Sequence, residues 1–317
     1  MSHKDVSMSI LIPVYNVAEY VEACLESILK QIDSHAEVIV MNDAATDNSH
    51  EIISRYQNHS QVQILQAPHN RGLSATRNAL LPLATGDYIW FIDSDDVMHE
   101  GAYTAVMSQL QALHSDVLCA DYVSLRGTQE VSKKAFIGTP NKNYENINNS
   151  FIDNVIKNNS NHVWNKIFKR ELIQDILFKE GVNFEDIYYM TDIALKGFTY
   201  SYLKQPIIKY RERAGSIIQN LDEKYVNNYL DAFIYRVNHY QKGNEKYSNY
   251  NYLLYKVYKR YAGLLKKIDK NNQPELLKYT YDKYHDCFST YYLSVFKKLP
   301  FHQKLVIHFK KQKQTRL

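Results

Sequence analysis

Three carboxylates and a serine, Asp93-Ser94-Asp95-Asp96, follow directly after a short apolar run at 88–92. The run is rich in aromatic and β-branched residues, which predicts a strand buried on both faces. Clustered carboxylates repel one another unless a cation lies among them. Because ligands bind at the carboxyl ends of strands in open α/β sheets, the cluster predicts a divalent cation that bridges to nucleotide phosphates. The alternative is an acidic turn that caps the next helix, and Asp96 itself is predicted to cap a helix starting near residue 98.

A second acidic pair, Glu185-Asp186, stands at the predicted start of a helix. A carboxylate that faces a reacting hydroxyl can take its proton as a general base. Adjacent acids in a first helical turn also complement the helix dipole without doing any chemistry. Taken alone, the two residues leave both interpretations open, and the second is the commoner situation.

The elements before residue 93 determine where the first acidic cluster lies. Apolar strands are predicted at 9–16, 37–43 and 62–65, and an apolar pattern of helical spacing follows each of them. This alternation predicts a mostly parallel sheet with right-handed crossovers. The first strand lacks the Gly-x-Gly-x-x-Gly turn, and the chain has no Walker-type loop. Phosphate binding is therefore expected to fall to a metal ion and side chains.

Length and composition limit the class of protein. The 317 residues, 45% of them hydrophobic, allow one large α/β domain with an appendage or two modest domains. A net charge of +4 is too small to predict a nucleic-acid-binding protein. The three scattered cysteines, the missing signal-peptide pattern and the lack of an apolar run of ~20 residues predict a reduced, cytoplasmic setting.

Four motifs occur in the order and approximate spacing of family 2 glycosyltransferases. They are Ile-Pro-Val-Tyr-Asn at 12–16, Val-Met-Asn-Asp at 40–43, Asn-x-Gly at 70–72 with Ala-Thr-Arg-Asn at 75–78, and the acidic motif at 93–96. The chain resembles this family densely over about the first hundred residues and more weakly to about residue 216. The resemblance implies a GT-A type, Rossmann-like, mostly parallel sheet flanked by helices. We expect this catalytic domain at 1–218 and a helical region at 219–317.

The resemblance also implies a site for a UDP-sugar donor. Tyr15 would stack on the base, and Asp43 would accept its imide N–H, which favours uracil. Arg77 would point toward the base or diphosphate. Asp93 would hold the ribose and Asp95 a Mn²⁺ or Mg²⁺ ion. The full donor-nucleotide set is Pro13, Tyr15, Asp43, Arg77, Asp93 and Ser94. The structural alternatives are rim packing for Tyr15, a helix cap for Asp43 and a solvated arginine for Arg77.

One departure from the family concerns the loop after Asp43, where Ala44-Ala45 replaces the usual Gly-Ser. Alanine adopts a positive φ less readily than glycine, so we expect the loop to have fewer accessible backbone conformations.

By resemblance, Asp186 is the general base and Glu185 orients the acceptor. The segment 163–172 resembles the one that supports the active site, with Trp164 as either acceptor platform or core. Arg213 and Ser216 would neutralise the departing diphosphate, with solvated surface as the alternative. The stretch 127–149 is interpreted as an irregular excursion facing the acceptor.

Beyond about residue 222, apolar and tyrosine residues at helical spacing predict helices. The tail at 296–311 interleaves apolar residues with cations, which is typical of an interfacial helix on anionic lipid. A solvated terminus or a dimer contact is equally compatible with that pattern.

Together these expectations describe an inverting, metal-dependent hexosyl- or N-acetylhexosaminyltransferase that acts on a hydroxyl of a glycan or lipid-linked acceptor. The implied pathway is capsule, lipooligosaccharide or exopolysaccharide synthesis, in the cytoplasm or peripherally on the inner membrane face. Two alternatives stay open: a phosphotransferase with Asp93 as nucleophile, and a nucleotide-sugar or glycan-binding scaffold without turnover. The sequence predicts neither the donor sugar and linkage nor whether the chain forms a homo-oligomer.

Overall fold

The computed structural model describes residues 6–147, 150–212, 221–243 and 250–296. The chain divides into two compact units, Met1–Gln219 and Asn220–Leu317. This division lies one residue from the boundary that composition and resemblance placed after residue 218.

Ten strands form one sheet in the described part of the first unit. They are β1 (Met8–Val14), β2 (Ala36–Asn42), β3 (Val62–Gln66), β4 (Tyr88–Phe91), β5 (Val97–Met98), β6 (Val117–Arg126), β7 (Gln129–Lys133), β8 (Asn143–Glu145), β9 (Lys166–Lys169) and β10 (Thr199–Arg211). The order across the sheet is β3-β2-β1-β4-β9-β6-β10-β5, with β7 paired to β6 and β8 paired to β10.

The half of the sheet formed by β3, β2, β1 and β4 is entirely parallel, as the alternation of strands and helices predicted. Every residue of β1 is buried, because β2 and β4 flank it and helices cover both faces. Just before β4 the backbone comes very close to β1, since a Cβ added at Gly86 would lie 2.6 Å from the amide nitrogen of Ser9. Only glycine fits there, and it fixes the position of the strand that leads into Asp93.

Strand β9 lies between β4 and β6 and runs antiparallel to both. Phe168 is the register partner of Ile89 in β4 and of Val117 in β6. The segment expected to support the active site is therefore a central strand of the sheet. Strands β7 and β8 lie within 127–149, so the expectation of a wholly irregular excursion there was wrong.

Seven helices are described in the first unit: α1 (Val21–Leu29), α2 (Ser49–Ser54), α3 (Leu73–Leu80), α4 (Ala102–Leu113), α5 (Ser150–Asn158), α6 (Arg170–Ile173) and α7 (Glu185–Ala194). The predicted cap at Asp96 was wrong, because α4 begins only at Ala102. Asp96 is instead fully buried, and its Oδ1 accepts a hydrogen bond from the amide of Arg211 at 2.9 Å.

The second unit is helical where it is described, with α8 (Glu223–Gly243), α9 (Tyr250–Lys270) and α10 (Pro274–Phe296). The buried face of α9 includes Leu253, Val257, Tyr261 and Leu264, spaced three or four residues apart. Tyr261 stacks on Phe288 of α10, with ring centroids 4.8 Å apart. Within the described helices, none is long and apolar enough to cross a membrane. The predicted interfacial tail lies outside the described residues from 297 onward.

Candidate active site

Arg77 on α3 joins carboxylates from two distant parts of the chain. Its Nη2 donates to Oδ1 of Asp93 at 2.7 Å, directly beyond β4. Its Nη1 donates to Oε1 of Glu185 at 2.8 Å and contacts Oδ1 of Asp186 at 3.4 Å, at the start of α7. The Arg77 side chain is 1% exposed. One buried guanidinium therefore brings together the two acidic motifs that the sequence singled out.

An aromatic layer holds this guanidinium in place. The Cζ of Arg77 lies 5.1 Å from the ring centroid of Phe178, and Phe178 stacks on Tyr189 of α7 at 3.9 Å. Asn78, the next residue on α3, fixes the same segment. Its Nδ2 donates to the Phe178 carbonyl at 2.9 Å, and its Oδ1 accepts from the Phe178 amide at 2.8 Å. Asn78 belongs to the Ala-Thr-Arg-Asn motif at 75–78, but that motif alone predicts no role for its side chain.

The orientation of Arg77 differs from the expectation that it faces the base or diphosphate. Burial alone would lower the pKa of Arg77, but Asp93, Asp186 and Glu185 together raise it. The guanidinium is therefore a permanent cation among three acids. Its fork suits carboxylate oxygens as well as it suits phosphates, and here the carboxylates occupy it. This geometry makes Arg77 a residue that positions the acidic groups.

The environment of Asp186 raises its pKa to about 8. Burial is the largest cause, the adjacent Glu185 adds to it, and the cation of Arg77 opposes both. The Asp186 side chain is 16% exposed, so it borders solvent. A carboxylate that titrates near neutral pH is well matched to general base catalysis.

We expect kcat/KM to rise with pH up to about 8, because only deprotonated Asp186 can accept a proton. Stability should change in the opposite direction. The raised pKa means that the folded chain holds this proton more tightly than the unfolded chain does. The resulting stabilisation is complete below about pH 4, the ordinary carboxyl value, and is lost as pH rises through the folded-state pKa. Initial rates and urea unfolding from pH 5 to 9 measure both trends, and a kcat/KM that is flat over this range would contradict the role of Asp186.

Lys166 in β9 is a second buried cation that influences Asp186, and the sequence alone predicts no role for it. Its side chain is 1% exposed, and Nζ donates to the carbonyls of Ser160 at 2.9 Å and His162 at 2.7 Å. Burial lowers the pKa of Lys166 to about 8, and the ammonium in turn lowers the pKa of Asp186. The only sequence signal is that Lys166 begins the short segment Lys-Ile-Phe-Lys at 166–169.

Asp43 lies just after β2 and is 2% exposed. Its Oδ1 accepts from the amide of Arg71 at 2.9 Å, and its Oδ2 accepts from the amide of Gly72 at 2.8 Å. These bonds fix the turn into α3, where Gly72 has φ 85°. Each carboxylate oxygen has a further acceptor site, so the expected bond to a base N–H is compatible with both contacts.

The loop after Asp43 keeps a left-handed residue although glycine is absent. Ala44 has φ 55°, a conformation that costs roughly 1–2 kcal/mol for a residue with a Cβ. Asn16 stabilises the loop from the opposite side, because its Oδ1 accepts from the amide of Thr46 at 2.8 Å. The loop therefore adopts a positive φ at Ala44 even though Ala44-Ala45 replaces the Gly-Ser that is usual in the family.

Asp43→Asn should lower the free energy of unfolding by roughly 1–3 kcal/mol, because the amide nitrogen cannot accept one of the two buried N–H groups. Urea denaturation measures the change. Asp175→Asn is a matched control, since Asp175 is exposed. Equal stability of the two variants would show that Asp43 does not hold the turn.

The acidic motif after β4 combines partly open and buried carboxylates. Asp93 has 25% of its side chain exposed, whereas Asp96 is fully buried. Oδ2 of Asp96 has no hydrogen-bond partner among the described groups. Burial, followed by the charges of Asp95 and Asp93, raises the pKa of Asp96 well above its usual range. The motif therefore concentrates hard oxygen ligands around an excess of negative charge.

The acidic motif by itself supplies too few carboxylates to hold a divalent cation. No group of three His, Cys, Asp or Glu residues suited to a metal is found in the described part of the chain. Mg²⁺ commonly uses only one or two carboxylates together with substrate phosphates and water. Asp95, half-buried beside Asp93, can supply such a ligand.

The remaining residues of the expected site differ in how far their side chains are exposed. Tyr15 is 44% exposed directly after β1, Pro13 is buried within β1, and Ser94 is 5% exposed. Trp164 is 3% exposed and stacks on Tyr210, with ring centroids 5.2 Å apart. That burial is typical of the core role rather than of an acceptor platform. Arg213 and Ser216 lie outside the described residues.

A family comparison gives this geometry its context. The sequence profile of glycosyl transferase family 2 matches residues 9–177. The chain belongs to glycosyl transferase family 2. The matched region contains Asp43, Arg77 and the acidic motif after β4, and it ends before α7.

Among family 2 relatives, the glycosyltransferase GlyA of Streptococcus pneumoniae is 28% identical over 241 residues. The alignment covers 74% of this chain but only 34% of GlyA. This chain therefore spans about a third of the length of that relative.

Two solved structures show the same fold. S. aureus TarS 1–349 in complex with UDP has a TM-score of 0.69 and 19% identity, and the match covers 93% of each chain. Mannosyltransferase PcManGT from Pyrobaculum calidifontis, in complex with GDP-Man and Mn²⁺, has a TM-score of 0.52 and 17% identity, covering 92% of this chain and 84% of that one. These likenesses confirm the expected GT-A architecture.

Proposed function

We propose that this glycosyltransferase moves a sugar from a UDP-sugar, with inversion, to a hydroxyl of a glycan or lipid-linked acceptor. The observation that carries the proposal is the ion cluster in which Arg77 joins Asp93 to Asp186. It would place a donor-holding carboxylate and a general base at one site. Membership of the family favours this reaction over the phosphotransferase and the non-catalytic scaffold.

In the proposed reaction, Asp186 accepts the proton of the acceptor hydroxyl while that oxygen bonds to the anomeric carbon. The bond from that carbon to the diphosphate breaks, and the nucleotide leaves with the bonding electron pair. Attack from the face opposite the leaving group inverts the anomeric centre. Glu185 orients the acceptor, and Arg77 fixes both acids by the contacts described above.

On the donor side, Tyr15 would stack on the base, Asp43 would accept its N–H, and Asp93 would hold the ribose. When bound at Asp95, a Mn²⁺ or Mg²⁺ ion would neutralise charge on the diphosphate. The UDP complex of TarS supports a uridine nucleotide, and the Mn²⁺ complex of PcManGT supports a metal ion. Surface polysaccharide as the acceptor class rests on family resemblance alone.

A panel of UDP- and GDP-sugars tests the proposal by thermal shift in the presence of Mn²⁺. A UDP-sugar at about 100 times its Kd should stabilise the fold by roughly 2.7 kcal/mol. The same donor should then be hydrolysed slowly when no acceptor is added. Stabilisation by GDP-sugars and by no UDP-sugar would overturn the assignment of the donor.

Asp95→Asn should remove Mn²⁺-dependent binding of UDP while leaving the fold intact, because a neutral amide is a far weaker ligand for a hard cation. Electron paramagnetic resonance of Mn²⁺ titrated with protein and UDP measures the bound fraction. Asp175→Asn, which removes an exposed carboxylate, is the control. Native Mn²⁺ affinity in Asp95→Asn would exclude Asp95 as the ligand.

A further inference from the structure

Helices α8 and α9 of the second unit line a cleft of about 220 Å³. Tyr225 and Tyr229 contribute from α8, and Lys259, Arg260 and Lys267 contribute from α9. The described lining thus carries three cations and no acidic residue. A concave surface with charge of one sign concentrates counter-ions of the opposite sign.

Tyrosine side chains of α8 contact two of these cations, Lys267 and Arg260. The Nζ of Lys267 lies over the Tyr225 ring, 5.2 Å from its centroid, and Arg260 is hydrogen-bonded to the hydroxyl of Tyr229. The two tyrosine rings lie 5.9 Å apart. A cation on an aromatic face keeps its full positive charge, so the cleft retains its attraction for an anion.

Gly263 keeps the cleft open. It lies in the interior of α9, where glycine costs about 1 kcal/mol relative to alanine. A Cβ added there would meet no atom within 4 Å, so packing does not require glycine at this position. A larger side chain would instead project into the space between the tyrosines and the cations.

We propose that this cleft binds the phosphate group of a phosphorylated saccharide. The guanidinium of Arg260 can offer paired donors to phosphate oxygens, and Lys267 adds a point charge. The tyrosine hydroxyls of Tyr225 and Tyr229 add donors beside them, because a phenol is protonated at neutral pH. A cleft of about 220 Å³ has room for one small head group, which suits a discrete sugar phosphate. The site goes beyond the proposed donor site, because all its lining residues lie between 225 and 267.

Calorimetric titration of the full chain with glucose 1-phosphate tests the site. Wild-type protein should bind it saturably and should not bind glucose. Arg260→Gln and Lys267→Gln should each weaken binding at least tenfold. Lys266→Gln is the matched control, because Lys266 is the exposed neighbour on α9 and does not line the cleft. Gly263→Leu should abolish binding by filling the space, whereas Gly263→Ala provides a folded reference with a smaller side chain.

Three results would overturn the proposal. Equal weakening by Lys266→Gln and Lys267→Gln would indicate general charge attraction. Inorganic phosphate that binds as tightly as glucose 1-phosphate would indicate an adventitious anion site. Phosphatidylglycerol vesicles that bind through Lys267 when glucose 1-phosphate does not would indicate a lipid surface. UDP affinity, measured on the same variants, should stay unchanged, so failure of this site is distinguishable from failure of the proposed donor site.

Discussion

Asp186→Asn should lower kcat by about 10²–10⁴-fold or more and leave the Kd for the UDP donor within a few-fold of the native value. The amide keeps the size of the side chain and can still accept from Arg77, which contacts Oδ1 of Asp186. It cannot take the proton of the acceptor hydroxyl. The loss should therefore appear in the chemical step, measured by single-turnover transfer at saturating donor.

The pH profile separates a catalytic role of Asp186 from a structural one. The native profile should have its acid limb near the pKa of about 8, and Asp186→Asn should lose that limb in its residual activity. Asp192→Asn, further along α7, controls for removal of an acid from the same helix. A parallel loss of donor affinity in Asp186→Asn would mean that the residue belongs to the donor site.

Arg77→Met should cost about 3–5 kcal/mol of unfolding free energy, the usual result of removing one partner from a buried ion pair. Three carboxylates would then share a buried space without their cation. Arg77→Lys keeps the charge but loses the planar fork, and one ammonium cannot hold Asp93 and Glu185 in the same geometry. We expect Arg77→Lys to fold and to lose at least tenfold in kcat.

Urea denaturation and initial rates on both Arg77 variants test this role, with Arg55→Lys as the control for an exposed arginine.

The pH dependence of kcat/KM gives a second test of the same role. Arg77 lowers the pKa of Asp186, so removing the cation should move the acid limb to higher pH. Native kcat in Arg77→Lys, or a stability loss below about 1 kcal/mol in Arg77→Met, would contradict the positioning role.

The parallel half of the sheet was predictable because β1, β2 and β4 are continuous apolar runs with punctuated ends. Strands β5, β7, β8 and β9 are two to five residues long and lack a continuous run of four apolar residues like that of β4. All four pair antiparallel, and for β5, β8 and β9 the pairing depends on partners far along the chain. Local pattern could not specify those contacts.

The acidic residues of the candidate site were predictable from sequence. The contacts of Arg77 that join them were not. Each acidic motif is visible in sequence, but Arg77 and Glu185 are 108 residues apart. Their contact depends on how α7 approaches α3, which no local pattern encodes. The cap predicted at Asp96 failed for a similar reason, because its partner is the amide of Arg211, 115 residues away.

Because β9 is a central strand of the sheet, its position limits where the chain can be truncated. A fragment that stops before residue 166 would leave β4 and β6 each with an exposed row of unpaired amides and carbonyls, since β9 is their shared neighbour. Such open edges recruit strands from other molecules and lead to aggregation. Soluble expression of a fragment that contains β4 and β6 should therefore require residues 166–169, supplied in the same chain or as a complementing peptide.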